Sequence, residues 1–179
     1  DKESINVSLI IVSTTSNIRL EIIKSLNLLG AKSPLILEKF LFPDSYSFQM
    51  GKDLLNNYPS PIYVNEWMRL TILKDIVKNY KNKNVEFNFL GKFGILCNAV
   101  HFIDLIKETL QINNLSINEN ESYCEAIVDS KRSGYKEFKG IISMNNNKYK
   151  LRLIDIDDSF DPKVIKLIIK CNKIEEIYF

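Results

Sequence analysis

The sequence has no apolar run near the roughly 20 residues that a membrane-spanning helix needs, and no charged-then-apolar segment typical of a secretion signal. It has no basic tract either, because 24 basic and 22 acidic residues are spread along the chain and give a formal net charge of +2. Cys97, Cys124 and Cys171 are odd in number and lack CxxC spacing, which indicates neither a disulfide framework nor a zinc site. We therefore expect a protein of the reducing cytoplasm that binds no metal, no nucleic acid and no membrane.

The first 83 residues alternate between strand and helix patterns. The apolar, β-branched run from Ile5 to Thr14 predicts a parallel strand buried on both faces. A helix should follow, beginning near Thr15 or Ser16 and ending at Gly30. Its apolar residues recur at near-helical spacing: Ile18, Ile22, Leu26 and Leu29. Further strands at 33–39 and 61–66, with helices at 44–58 and 66–80, predict half of an open α/β sheet.

The Lys- and Asn-rich stretch at 78–84 predicts a boundary, so we divide the chain into a partial dinucleotide-binding domain, 1–83, and an α+β domain, 84–179. The second domain should hold a strand at 85–91, one principal helix ending near Leu110 and a polar loop over 112–122. Five strands should follow from Tyr123 onward. In one of them Tyr149, Leu151 and Leu153 should share a face, after a hairpin turn at 145–147 where asparagine tolerates positive φ. A mostly antiparallel sheet is expected.

A charged pair, Glu38 and Lys39, follows the apolar strand 34–37 directly. Ligands of open α/β sheets collect at the carboxyl ends of the strands, so polar groups placed there are candidates for a binding crevice. A strand that simply reaches a solvated loop would give the same pattern, because charged strand ends are ordinary. Periodicity alone leaves both interpretations open.

Order and spacing along the whole chain add a resemblance. Five segments occur in sequence: "SLIIVSTTS", "LEIIKSLNLLGAK", "LILEKF", "IYVNEWMR" and "GILCNAVHFIDLI". In this order they resemble the glucose–fructose oxidoreductase, inositol dehydrogenase and MocA family (Gfo/Idh/MocA). The stretches "GKFGILCNAVHFIDL" and "DSKRSGYKEFKGII" are similar to the subgroup found in bacterial surface-polysaccharide pathways.

The resemblance implies an NAD(P)-dependent oxidoreductase that transfers hydride between a nicotinamide cofactor and a hydroxyl or keto group of a sugar or nucleotide-sugar. The implied cofactor-binding residues are Ser13, Thr14, Thr15, Glu38, Lys39, Asn65 and Arg69. The implied substrate-binding residues are Cys97, Asn98, His101 and Arg132. Lys39 and His101 would be catalytic: the lysine would polarise the substrate oxygen, and the histidine would carry the hydroxyl proton. A histidine satisfied inside helix–sheet packing is the alternative for His101.

Three departures from the family pattern weaken the step from family to activity. Cys97 stands where the family has an acidic residue four positions before the histidine, and Asn98 could replace it only in part. Phe40 stands where proline follows the Glu-Lys pair. The sequence also has no GxGxxG turn, so it is expected to begin at what would be the fourth strand and to lack the usual pyrophosphate site. We therefore expect binding of NAD or NADP to be weak or lost in this chain alone.

The sequence alone leaves two functions open. The chain is either the later part of a sugar oxidoreductase or a truncated, inactive relative kept as a binding or oligomerisation module. In this family the open face of the second sheet usually meets another copy, and the half-apolar strands at 136–144 and 148–156 suit such a face. A homo-oligomer is expected in either case.

Overall fold

A computed structural model describes residues 7–130, 134–155 and 161–179. The chain divides after Glu66 into two compact units. The mixed α/β class, with a parallel sheet first and a mostly antiparallel sheet second, is confirmed.

The first unit is a three-stranded parallel sheet, in the order β1-β2-β3, with two helices in its crossovers. Its elements are β1 (Ile10–Val12), α1 (Ser16–Leu28), β2 (Leu35–Leu37), α2 (Ser45–Asn56) and β3 (Ile62–Val64). Val12, Leu35 and Leu37 share one core with residues of α1. The other face of β1 is not covered, because Ile11 is 63% exposed, so the prediction of a strand buried on both faces is wrong.

The buried face of α1 also differs from the prediction. Ile18 and Leu29 are exposed, whereas Ile23 and Leu26 are buried together with Arg19. The buried face is rotated because an arginine can be buried when backbone carbonyls accept its hydrogen bonds, and the guanidinium of Arg19 donates to three such carbonyls. The predicted stop is confirmed: Gly30 has φ +67°, and Ala31 N donates to Leu26 O at 3.0 Å.

The second unit is a seven-stranded sheet packed against helices. Its elements are a 3-10 turn (Trp67–Leu70), α3 (Ile72–Lys78), β4 (Val85–Leu90), α4 (Ile95–Leu110), β5 (Ser116–Ile117), a second 3-10 turn (Glu119–Glu121), β6 (Tyr123–Asp129), β7 (Lys136–Asn145), β8 (Tyr149–Asp155), β9 (Lys166–Lys170) and β10 (Ile174–Tyr178). The strand order is β10-β9-β4-β8-β7-β5, and β6 also pairs with β7. The β4–β8 pair is parallel and the other pairs are antiparallel. The short strand β5 lies where a polar loop was expected, because it pairs with the end of β7.

The predicted alternation of β8 is confirmed, since Tyr149, Leu151 and Leu153 are buried while Lys150 and Arg152 on the other face are half-buried. The hairpin before it forms for a different reason than positive φ, which none of residues 145–147 adopts. Instead, Asn146 Oδ1 accepts hydrogen bonds from Lys148 N and Tyr149 N at 2.9 and 2.8 Å.

The division after Glu66 lies well before residue 83, where the sequence predicts a boundary. The reason is packing: Met68, Leu73, Val77 and Tyr80 belong to the same core as α4. Over the described ranges, no helix combines the length and the apolar character needed to cross a membrane.

Candidate functional site

The charged strand end of the first unit is part of a hydrogen-bonded pair. Asn65, just beyond β3, donates from Nδ2 to Glu38 Oε1 at 2.5 Å. The backbone holds both residues there, because Asn65 N donates to Leu37 O at 2.8 Å and Glu38 N donates to Val12 O at 3.2 Å. The structure thus brings together two of the predicted cofactor-binding residues at the carboxyl ends of neighbouring parallel strands, where ligands of such sheets bind.

The predicted dinucleotide turn, 13–15, connects β1 to α1. Ser13 and Thr15 are exposed, and Thr14 is half-buried. The hydroxyl oxygen of Thr14 is buried without a hydrogen-bond partner in the part of the chain that the structure describes. A buried hydroxyl at this position can still donate to or accept from a ligand, which fits the role that the resemblance implies for Thr14.

One buried guanidinium joins that turn to the loop carrying Lys39. Arg19 is 1% exposed; its NH2 donates to Thr14 O, and its NH1 donates to Phe40 O and, at 3.2 Å, to Leu41 O. Burial lowers the pKa of Arg19, and the nearby charge of Glu38 opposes this effect. Sequence reasoning missed Arg19, although the i, i+4 and i+7 spacing with Ile23 and Leu26 would have placed it on the buried face.

Lys39 itself is half-buried, and its Nζ lies 5.9 Å from the ring centroid of Phe40. Phe40 therefore takes the place of the family's proline next to the lysine and contacts it as well. This geometry leaves the polarising role of Lys39 a prediction.

The second unit presents the other predicted residues on α4, whose first turn is held by two carboxylates from the sheet. Glu137 of β7 accepts from Leu96 N at 2.8 Å and from Cys97 N at 3.1 Å. Asp155 of β8 accepts from Gly94 N at 3.2 Å. The oxygens of these carboxylates accept hydrogen bonds from N–H groups that have no partner within the helix. No local sequence signal connects these strands to α4, so sequence reasoning missed both carboxylates.

Asp155 gives this contact a pH dependence. Burial raises its pKa from the ordinary 3.8, although the Gly94 hydrogen bond acts the other way. Above pH 3.8 the unfolded chain ionises Asp155 more readily than the folded chain, so this group's contribution to stability falls as pH rises through its folded pKa. An asparagine in its place would keep an oxygen acceptor and cannot ionise.

We therefore expect Asp155→Asn to stabilise the protein at pH 7 and to match the parent near pH 3.5, in urea unfolding followed by Trp67 fluorescence. Asp129→Asn is the matched control, because the Asp129 carboxylate is 84% exposed and its pair with Lys136 lies at the surface, so its removal should change stability little at pH 7. A loss of stability on Asp155→Asn that is greater at pH 7 than at pH 3.5 contradicts the prediction.

His101 lies one turn after Cys97 on α4 and is 4% exposed. The indole of Trp67 meets its imidazole edge to face, with ring centroids 5.9 Å apart and an interplanar angle of 65°. Asn98, which was expected to replace the missing carboxylate in part, donates from its side chain to Phe93 O and so supports the start of the helix.

Arg69 is the one predicted cofactor-binding residue that the structure places in the second unit. Its Nε and NH2 donate to the two carboxylate oxygens of Asp104, and its NH1 lies 3.9 Å from Glu108 Oε2. A planar, two-point contact of this kind fixes both side chains. Arg69 therefore fastens the 3-10 turn to α4, and Asp104 is a further residue that sequence reasoning missed.

Lys39 and His101 belong to different compact units, so their joint action on one hydroxyl stays a prediction. Arg132, predicted to bind substrate, lies outside the described residues. Among the residues that are described, no group of three or more His, Cys, Asp or Glu side chains could hold a metal ion.

Comparison with known proteins identifies the fold. No protein-family model and no curated protein matches the sequence. Solved structures do match: the dehydrogenase MviM from Clostridium difficile has a TM-score of 0.67 at 14% identity, over 96% of this chain and 57% of that one. WlbA from Bordetella pertussis, solved with NADH and UDP-GlcNAcA, has a TM-score of 0.69 at 10% identity, over 99% and 57%. WlbA (WbpB) from Thermus thermophilus, solved with NAD and alpha-ketoglutarate, has a TM-score of 0.62 at 16% identity, over 97% and 60%.

The chain therefore has the fold of the matching part of these dehydrogenases. It spans 57–60% of the length of these three structures. At identities of 10–16%, the similarity establishes the fold.

Proposed function

We propose that this chain is the later part of an NAD(P)-dependent oxidoreductase that moves hydride between a nicotinamide cofactor and a hydroxyl or keto group of a sugar or nucleotide-sugar. The observation that carries the proposal is the Glu38–Asn65 hydrogen bond at the strand ends, next to Lys39. It supports a polar, preorganised nicotinamide end of the site, made from residues that the resemblance assigns to that role.

The residues present fit one end of the cofactor. The buried hydroxyl of Thr14, the Glu38–Asn65 pair and Lys39 would contact the nicotinamide end. When bound, the nicotinamide supplies or accepts the hydride. The described residues contain no glycine-rich turn for the pyrophosphate, so the remaining contacts cover only part of a dinucleotide.

This chain's own residues would handle the proton and orient the sugar. Oxidation of a carbinol carbon releases a hydroxyl proton together with the hydride, and a histidine titrates near neutral pH. His101 would take that proton from the hydroxyl oxygen, while the Lys39 ammonium polarises the same oxygen. Glu137 and Asp155 would act indirectly, by holding the helix that carries His101.

A truncated relative without redox activity, serving as a binding or oligomerisation module, is the second candidate. The burial of His101 under Trp67 favours this candidate, because a histidine that serves only in packing would be buried in the same way.

One experiment distinguishes the two candidates. The codons that precede Asp1 are read for a strand followed by GxGxxG, and the complete polypeptide is assayed at 340 nm with UDP-GlcNAcA and either NAD or NADP. A change in absorbance at 340 nm that requires the substrate supports the oxidoreductase, and no turnover with either cofactor supports the module.

The 179-residue chain alone should bind both cofactors weakly or undetectably in titration calorimetry. Micromolar binding of NAD or NADP would contradict this expectation.

We also propose that the chain forms a homo-oligomer through the face of the seven-stranded sheet opposite α4. An apolar row crosses the middle of this face: Leu90 pairs with Ile154, and both are half-buried. Ile141, which pairs with Ile154 on the other side, is only 6% exposed, so Leu90 and Ile154 form the accessible part of the row. Ion pairs flank the row: Lys166–Glu176, Lys170–Glu86 and Lys150–Glu121, at 2.8, 3.1 and 2.6 Å. An apolar centre with a charged rim is typical of interfaces between subunits.

Sedimentation at micromolar concentration should give a mass that is a multiple of 20.8 kDa. Ile154→Lys should shift the species toward the monomer, because it places an unpaired charge in the apolar row. Ile127→Lys is the matched control, since Ile127 is already exposed and pairs with Phe138 on the opposite face. A parent protein that sediments as a monomer contradicts the proposal.

A further inference from the structure

Trp67 and His101 are the only tryptophan and the only histidine in the sequence, and their rings are in contact. Their exposures differ sharply: the imidazole is 4% exposed, whereas the indole is 44% exposed. A tryptophan in this setting has one part packed on the helix and another part open to a ligand.

The segment that carries Trp67 is held firmly in place. Arg69, two residues later, makes the two-point contact with Asp104 of α4, and Met68 between them is buried in the core. Thr71 Oγ1 donates to Met68 O at 2.8 Å and closes the turn. Because these contacts fix the turn that carries the indole before any ligand arrives, binding loses little conformational entropy in that turn.

The chemistry of an exposed indole selects its ligand. A pyranose ring has an apolar face of C–H groups and polar hydroxyls around its edge. The indole offers a flat apolar surface to the C–H face, while polar groups beside it orient the hydroxyls. Leu70, 89% exposed on the same turn, extends the apolar surface.

We propose that Trp67 is the platform on which the sugar ring of the substrate lies, next to His101. This inference rests on the proposed function for the kind of ring that is bound, and it adds a binding residue that the family resemblance does not assign. It also implies that the second unit contributes sugar affinity of its own, before any dinucleotide is present.

The experiment uses the chain as it is, with UDP-GlcNAcA as the probe. Fluorescence of the single tryptophan should change in a saturable way during the titration, and UDP alone at equal concentration should leave it unchanged. Titration calorimetry, which does not depend on the tryptophan, then compares variants. Trp67→Ala should weaken UDP-GlcNAcA binding at least tenfold, and Trp67→Phe should restore most of it, because a ring is kept. Tyr46→Ala, which removes an exposed aromatic side chain of α2, is the matched control and should not change affinity.

Three results would overturn the platform: no UDP-GlcNAcA binding by the parent chain, an equal fluorescence response to UDP alone, or unchanged affinity in Trp67→Ala. The proposed redox function fails in a different way. If Trp67→Ala abolishes binding while the complete polypeptide never reduces NAD or NADP, the platform stands and the oxidoreductase does not. If the complete polypeptide turns over and Trp67→Ala leaves its KM unchanged, the platform is wrong and the oxidoreductase stands.

Discussion

His101→Ala is expected to lower kcat of the complete, active polypeptide by roughly 10²–10⁴-fold, the range typical for loss of a general acid or base. The reason is that a hydroxyl cannot lose hydride from its carbon without losing its proton, and His101 is the only histidine in the chain. Affinity for NAD or NADP should stay nearly the same, because the proposed cofactor contacts at the nicotinamide end lie in the first unit. Steady-state kinetics with calorimetry on the same preparations separates the two effects.

A surface substitution on the same helix provides the control. Lys107→Ala changes the last turn of α4, whereas His101 lies near its middle, and it should leave kcat within about twofold of the parent, since it removes no group from the proposed proton transfer. The pH profile adds a signature that loss of packing would not produce: the limb assigned to the histidine should disappear in His101→Ala and persist in Lys107→Ala. Full turnover by His101→Ala would make His101 a packing residue under Trp67.

Local pattern was enough to predict much of the first unit. The turn at Gly30 and the charged end of β2 depend on residues close together in sequence, so periodicity and turn chemistry predict both. The same reasoning failed for the face of β1, because exposure depends on what covers a sheet and not on the strand itself. It also assigned the wrong buried face to α1, because it predicted Ile18 and Leu29 as core residues and overlooked Arg19, which lies between them in the sequence.

The support of the candidate site depends on long-range contacts, which local pattern does not reveal. Glu137 reaches Leu96 and Cys97 from a strand 41 and 40 positions further along the chain. Arg69 reaches Asp104 across 35 positions. The resemblance implies that Arg69 lies near the cofactor, whereas the structure shows it bound to the carboxylate of Asp104 on α4. Motifs thus point to candidate segments, and the fold shows which side chains hold those segments in place.

Arg19→Met is expected to destabilise the first unit by about 3 kcal/mol, because it removes a buried, charge-assisted set of hydrogen bonds and leaves carbonyl oxygens without a donor. Three carbonyls lose their partner, those of Thr14, Phe40 and Leu41. Methionine has a similar length and fills the space, so the cost comes from the polar groups and not from a cavity. Hydrogen exchange at the amides of β1 and β2 measures the change; Trp67 fluorescence would not, since Trp67 lies in the second unit.

A lysine on the same helix provides the matched control. Lys24 pairs with Glu21 at 2.8 Å on the exposed side of α1, so Lys24→Met removes a cation there at a cost of about 0.5 kcal/mol or less. Arg19→Lys keeps the charge but not the planar fork and should fall between the two. The amides of 40–42 should exchange faster in Arg19→Met than in Lys24→Met, because Arg19 holds the carbonyls of the loop that positions Lys39. Equal exchange in the two methionine variants would mean that the loop is held by its own packing, and Lys39 would then owe its position to Phe40.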